Sequence, residues 1–110
     1  MTAPNVLTLL AAKIDTGAGS TIKADQMSAT RAFQVYGAVS ASTGAAEVRI
    51  DGSNDGTHWE ALGTVTLTLG TTDTSGGFAG NAPWPFLRAY VVSISGTDAE
   101  VSATVGGQVS

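Results

Sequence analysis

Along this chain apolar and polar residues alternate with period two far more often than with period 3.6, so the pattern predicts strands. Thr64-Val65-Thr66-Leu67-Thr68-Leu69 alternates strictly, the signature of a strand with one face buried. Val101-Ser102-Ala103-Thr104-Val105 does the same. Glu47-Val48-Arg49-Ile50-Asp51 places Val48 and Ile50 on one face and three charges on the other, and Phe33, Val35 and Val39 line one face of a further run. Phe86–Ile94 is apolar on both faces, as expected of a strand that is central or covered on its second side. β-branched residues are frequent in all of these runs and favour a pleated backbone.

Turn-forming clusters separate the runs: Ser42-Thr43-Gly44, Gly52–Gly56, Asp73–Gly77 and Ser95-Gly96-Thr97-Asp98. Their spacing predicts short antiparallel strands joined by hairpins, with Ser95–Asp98 as one of the hairpin turns. Val6–Ala12 is compatible with strand or short helix, since Val6, Leu9, Leu10 and Ile14 share a helical face. Strand is favoured, because Thr16–Ser20 has the composition of a turn leading into a second short strand at Thr21–Ala24. Asp73–Asn81 is glycine-rich and is expected to be a mobile loop. Pro83 and Pro85 then fix an extended approach to the strand starting at Phe86. The expected architecture is all-β: a single antiparallel β-sandwich, jelly-roll or Ig-like, of roughly seven to eight short strands. It spans residues 1–110 as one domain, with an N-terminal arm or strand over about residues 1–14.

Composition narrows the function classes. Of 110 residues, 43 % are hydrophobic and 13 % charged, against a usual charged share of about 25 %. Such a chain is not an acidic disordered tail. The net charge of −4 and five scattered basic residues offer no patch for nucleic acid. No apolar stretch approaches the roughly 18 residues of a membrane span, and Val6–Ala12 lacks the basic flank of a signal peptide. There is no cysteine, and so no disulfide, thiol nucleophile or thiolate metal site.

The search for chemistry yields few candidates. His58 is the only histidine and is expected at the surface, at the start of a strand. Gly17-Ala18-Gly19-Ser20 lacks the lysine and spacing of a phosphate loop. Asp51, Ser53, Asp55 and Gly56 occupy the first half of a calcium-loop pattern, but Leu62 stands where the closing bidentate carboxylate belongs. The segment is therefore expected to be a turn, with no cofactor or metal. Glu47 and Glu60 are most simply solvent-facing strand residues. Trp59, Trp84, Phe86 and Tyr90 are expected to anchor the core or an interface, with a sugar-stacking role as the alternative. If Leu87, Ala89 and Val91 face inward, Tyr90, Val92 and Ile94 face out, which predicts contact with another chain.

The segment Val48-Arg49-Ile50-Asp51-Gly52-Ser53-Asn54-Asp55-Gly56-Thr57-His58-Trp59 resembles the strand, G-S-N-D-G-x-x-W turn and strand of small structural proteins of tailed bacteriophages. Trp84–Val91 and Ile94–Val101 are similar to the same pattern, as are Leu9–Ala12 and Thr16–Ser20. Discoidin-like sandwiches use a comparable turn, but this chain lacks their frequent cysteines. The phage resemblance implies a non-enzymatic virion protein, assembled in the host cytoplasm. Its expected role is capsid decoration, or cementing, on the major capsid protein or other virion subunits. The alternatives are a tail or neck component, or a carbohydrate-binding module that recognises a receptor. For the homo-oligomer that the surplus apolar residues favour, the resemblance implies a trimer on threefold positions; the uncharged segment Thr2–Ala12, with no obvious core partner, is expected to reach a neighbour or the shell. Trp59, Trp84, Phe86, Tyr90, Val92 and Ile94 are the interface candidates.

Overall fold

The computed structural model describes residues 4–24 and 27–108. The strands are β1 (Pro4–Lys13), β2 (Gly17–Ala18), β3 (Ile22–Lys23), β4 (Thr30–Ala38), β5 (Ala41–Ser53), β6 (Glu60–Leu69), β7 (Thr74–Asn81), β8 (Phe86–Thr97) and β9 (Glu100–Gln108). They form two antiparallel sheets, ordered β1-β9-β4-β7 and β2-β8-β5-β6, with β3 beside β2 on the same edge of β8. Among the described residues only β5 and β6 are both consecutive in the chain and hydrogen-bonded to each other. All other connections cross between the sheets, apart from the step from β2 to β3 along one edge. This is jelly-roll topology, which decides between the two sandwich types the sequence allowed.

Period two does the packing. Val65, Leu67 and Leu69 of β6 are buried while Thr64, Thr66 and Thr68 are exposed. Phe33 and Val35 of β4, Val48 and Ile50 of β5, Leu87, Ala89 and Val91 of β8, and Val101, Ala103 and Val105 of β9 complete the layer between the sheets. Each large aliphatic side chain buried there contributes roughly 1.5–3 kcal/mol.

Three sequence-based expectations need correction. Asp73–Asn81 is not a mobile loop: Thr74–Asn81 is β7, paired with β4 over eight successive residues from Thr30↔Asn81 to Gly37↔Thr74. Phe78 packs on Phe33 with ring centres 5.1 Å apart. At Gly77 a Cβ would fall 2.2 Å from the Phe33 carbonyl oxygen, so here glycine serves close strand approach rather than a loop. Second, Ser95–Asp98 is not a hairpin turn. It is the corner where the chain leaves one sheet for the other, and Ser40 in the β4–β5 corner bonds it, N–H to Thr97 O at 2.9 Å and Oγ to Asp98 Oδ2 at 3.0 Å.

Of the two readings of the N-terminal segment, arm or strand, the described part is the strand. From Pro4 to Lys13 it is an edge strand on β9, and residues 1–3 lie outside the described residues. The ladder passes from Thr8↔Thr104 to Leu10↔Ala103, so Leu9 is an extra residue and both Leu9 and Leu10 are buried. Third, Gly17–Ala18, expected within a turn, pairs with Val91 and Tyr90 as β2.

Candidate functional site

The features that carry charge and aromatic surface converge on the β5–β6 hairpin and the strand beside it. Asp51 pairs with Arg88 and Arg49 with Tyr90 across the β5–β8 ladder, so all four side chains share the outer face of that sheet. Asp51 is nonetheless 1 % exposed. Arg49 Nε donates to its Oδ1 at 2.7 Å, and Arg49 Nη2 and Arg88 Nε donate to Oδ2 at 3.2 and 3.0 Å. Two guanidinium groups thus compensate one buried carboxylate, the condition for keeping it charged out of water. Asp51 in turn raises the Arg49 pKa above its ordinary value, chiefly through this hydrogen bond.

The same guanidiniums cover aromatic rings. Arg88 Cζ lies 4.3 Å from the Trp59 ring centre and 5.6 Å from that of Tyr90, and Arg49 Cζ lies 4.7 Å from Tyr90. The sequence Trp59, Arg88, Tyr90, Arg49 forms one stacked row with Asp51 beneath it.

The hairpin tip is a self-satisfied loop. Ser53 Oγ accepts the N–H groups of Asp55 and Gly56 at 3.2 and 2.9 Å and donates to Asp55 Oδ1 at 3.0 Å. Asp55 Oδ1 also accepts the N–H groups of Thr57 and His58, at 2.8 and 2.9 Å, and Oδ2 lies 2.7 Å from His58 Nδ1. The His58 N–H, then that of Thr57, the His58 ring and the Ser53 hydroxyl hold the Asp55 carboxyl far below the usual carboxylate range. The oxygens that matched a calcium loop are therefore engaged by arginines, by N–H donors or by each other. Among the described residues no group of three or more His, Asp or Glu side chains is placed to hold a metal.

Behind the tip lies Arg31, 2 % exposed, whose donors reach four backbone carbonyls: Ser28 at 2.9 Å, Trp84 at 2.7 Å, Ala24 at 2.6 Å and Met27 at 3.3 Å. Burial pulls its pKa down. Holding the Trp84 carbonyl fixes the segment that lays the Trp84 ring over Gly52, where a Cβ would sit 2.5 Å from the ring. Asn54, Asp55, His58, Trp59, Glu60 and Trp84 line a shallow, open cavity of about 280 Å³. It pairs a histidine with an orienting carboxylate, but none of its lining side chains offers a hydroxyl or thiol nucleophile.

Of the interface candidates, Trp59, Trp84, Phe86 and Tyr90 gather around this hairpin and are all partly buried. Phe86 stands opposite Ser53 in the ladder. Val92 and Ile94 do not join them. The ladder passes from Val48↔Val91 to Glu47↔Ser93, leaving Val92 as a bulged residue that is 41 % exposed. The bulge reverses the parity of the strand, so Ile94 stands opposite the buried Ala46 and packs on the core instead of facing out. The outward apolar face expected at Tyr90, Val92 and Ile94 thus reduces to Val92, since Tyr90 lies against two arginines.

Sequence reasoning missed the Asp51 cluster and Arg31. The first depends on pairing residues 37 positions apart. The second had a signal: the alternation that places Phe33 and Val35 inward also places Arg31 inward.

No protein-family model matches the chain, and no curated protein matches it by sequence. Solved structures share its fold. The SPBc2 prophage-derived protein YomS superposes with a TM-score of 0.64 at 14 % identity, covering 98 % of this chain and 95 % of that one. The PBSX exported protein XepA superposes with a TM-score of 0.55 at 13 % identity, over 96 % of this chain and 37 % of that one. At these identities the likeness establishes the sandwich fold.

Proposed function

We propose that this chain is a non-enzymatic structural subunit of a bacteriophage particle, and within the particle a decoration protein that binds the major capsid protein and stabilises the head shell. The observation that carries this reading is the end-to-end superposition on a prophage-derived protein of nearly the same length. It agrees with the resemblance of the Gly52–Trp59 turn and its neighbouring strands to small phage structural proteins.

The site supports the reading through how its polar groups are used. Asp51, Asp55 and Arg31 each spend their hydrogen-bonding capacity on partners within the chain. Side chains committed in this way hold a shape, which suits a structural role. The carbohydrate-binding alternative has less support, because guanidinium groups lie against the rings of Trp59 and Tyr90 that a sugar would stack on.

The test is co-sedimentation of the purified protein with expanded heads and, separately, with tails of its phage. Saturable binding to heads with a raised shell melting temperature is expected. Binding to tails alone would replace the decoration role by a tail role, and binding to neither would overturn the virion reading.

A further inference from the structure

The two flanks of the sandwich end differently. On one flank lie β1 and the pair β2 and β3. There β1 starts at Pro4, shifts register twice between Thr8 and Lys13, and carries Ala12 at a φ of 48°. The facing edge is split into two strands of two residues each, with Lys23 exposed on the second. Prolines, bulges, lysines and short strands are the devices that stop a sheet edge from pairing with another chain.

The other flank, β6 and β7, has little of this. From Ala61 to Asn81 there is no proline, and Asp73 is the only charged residue. Along Gly63–Leu69, β6 pairs with Ile50–Gly44 of β5 through seven successive residues without a register shift. Its other side pairs with no strand among the described residues. A straight, uncharged row of backbone N–H and C=O groups is left at that edge, each alternate one pointing away from β5.

We propose that this edge pairs antiparallel with β6 of a second copy of the chain, joining the two sheets into one. Self-pairing suits the sequence. A twofold axis along the sheet normal keeps Thr64, Thr66 and Thr68 of both copies on the outer face and Val65, Leu67 and Leu69 on the core side. Threonine then meets threonine and apolar meets apolar, a register that the alternation itself enforces. A strand paired with its own copy sets like residues near one another, which would penalise any charge on it; Gly63–Leu69 carries none. The contact is isologous and closes as a dimer, unlike the threefold arrangement that the phage resemblance implies. It does not depend on the virion reading.

Analytical ultracentrifugation of the full chain over a wide concentration range tests it, beside Thr66→Lys and Thr68→Lys on β6 and Thr8→Lys on β1. All three threonines are exposed, and thermal melts by circular dichroism report whether each variant folds. The expected result is a dimeric wild type, folded monomers for both β6 variants at concentrations where wild type is paired, and a dimer for Thr8→Lys. A wild type that is monomeric or trimeric throughout, or β6 variants that dimerise like wild type, would overturn the proposal.

Discussion

Arg88 sits with its guanidinium carbon 4.3 Å from the ring centre of Trp59. Its Nε at the same time holds Asp51, the residue opposite it on β5. The chain leaving the hairpin is thereby tied to the strand on the far side of β5. Trp59→Ala removes both the ring's burial and its cation–π contact. A loss of about 2–4 kcal/mol is expected, at or below the range for buried aromatic truncations because the ring is partly exposed. Urea denaturation measures it, and a variant as stable as wild type would show that the hairpin is anchored elsewhere.

Asp51 is the opposite case, a small side chain with a large effect. Asp51→Ala leaves Arg49 and Arg88 without their shared carboxylate, at an expected cost of about 2–4 kcal/mol, lowered from the fully buried range by the partial exposure of both arginines. Asp51→Asn retains the geometry and is expected to cost about 1–2 kcal/mol. Equal losses in the two variants would mean that the charge on Asp51 contributes nothing.

The bulge at Val92 separates two neighbouring apolar residues that simple alternation would treat alike. Ile94→Ala is expected to destabilise by about 1–3 kcal/mol, since Ile94 packs on the core. Val92→Ala is expected to fall within about 0.5 kcal/mol of wild type. The reverse ranking in denaturant melts would place Ile94, not Val92, on the outer face.

The hairpin tip has its own pH signature. Folded, Asp55 titrates far below the ordinary carboxylate range; unfolded, it titrates near about 3.9. Between those two values the unfolded chain binds more protons, so stability rises with pH there and the contribution is complete above about pH 4. It is lost progressively as pH falls below that. Asp55→Asn removes this titration, so its melting temperature should fall less steeply than that of wild type on going from about pH 4 to pH 2. Parallel curves for the two proteins would show that the loop's hydrogen bonds do not contribute to stability.

How much of this was legible in the sequence depended on how local each feature is. The inner faces of β5, β6 and β9 follow from alternation within one strand, and they hold residue by residue. Alternation alone misplaces Ile94, because a single extra residue in β8 reverses every later side chain and nothing in Val91-Val92-Ser93 marks it. β7 is not legible in the sequence, because its glycines resemble a loop until Phe33 and its carbonyl are brought beside them. Ser95–Asp98 has the composition of a hairpin turn because a corner between sheets and a turn within one use the same residues. The Asp51 cluster exists only in the register of β5 against β8, whereas an inward Arg31 was there to be seen.

Because among the described residues β5 and β6 alone are neighbours both along the chain and in a sheet, each other ladder described must close a long loop before it gains anything. Chains dominated by such pairings fold on a scale of roughly milliseconds to seconds. The Asn54–Trp59 connection, closed by Ser53 and Asp55 with hydrogen bonds three residues long or less, joins the one consecutive hydrogen-bonded strand pair among the described residues, so this hairpin can form cheaply and early. The residues that resemble a virion signature thus also stand where folding has its shortest route to begin.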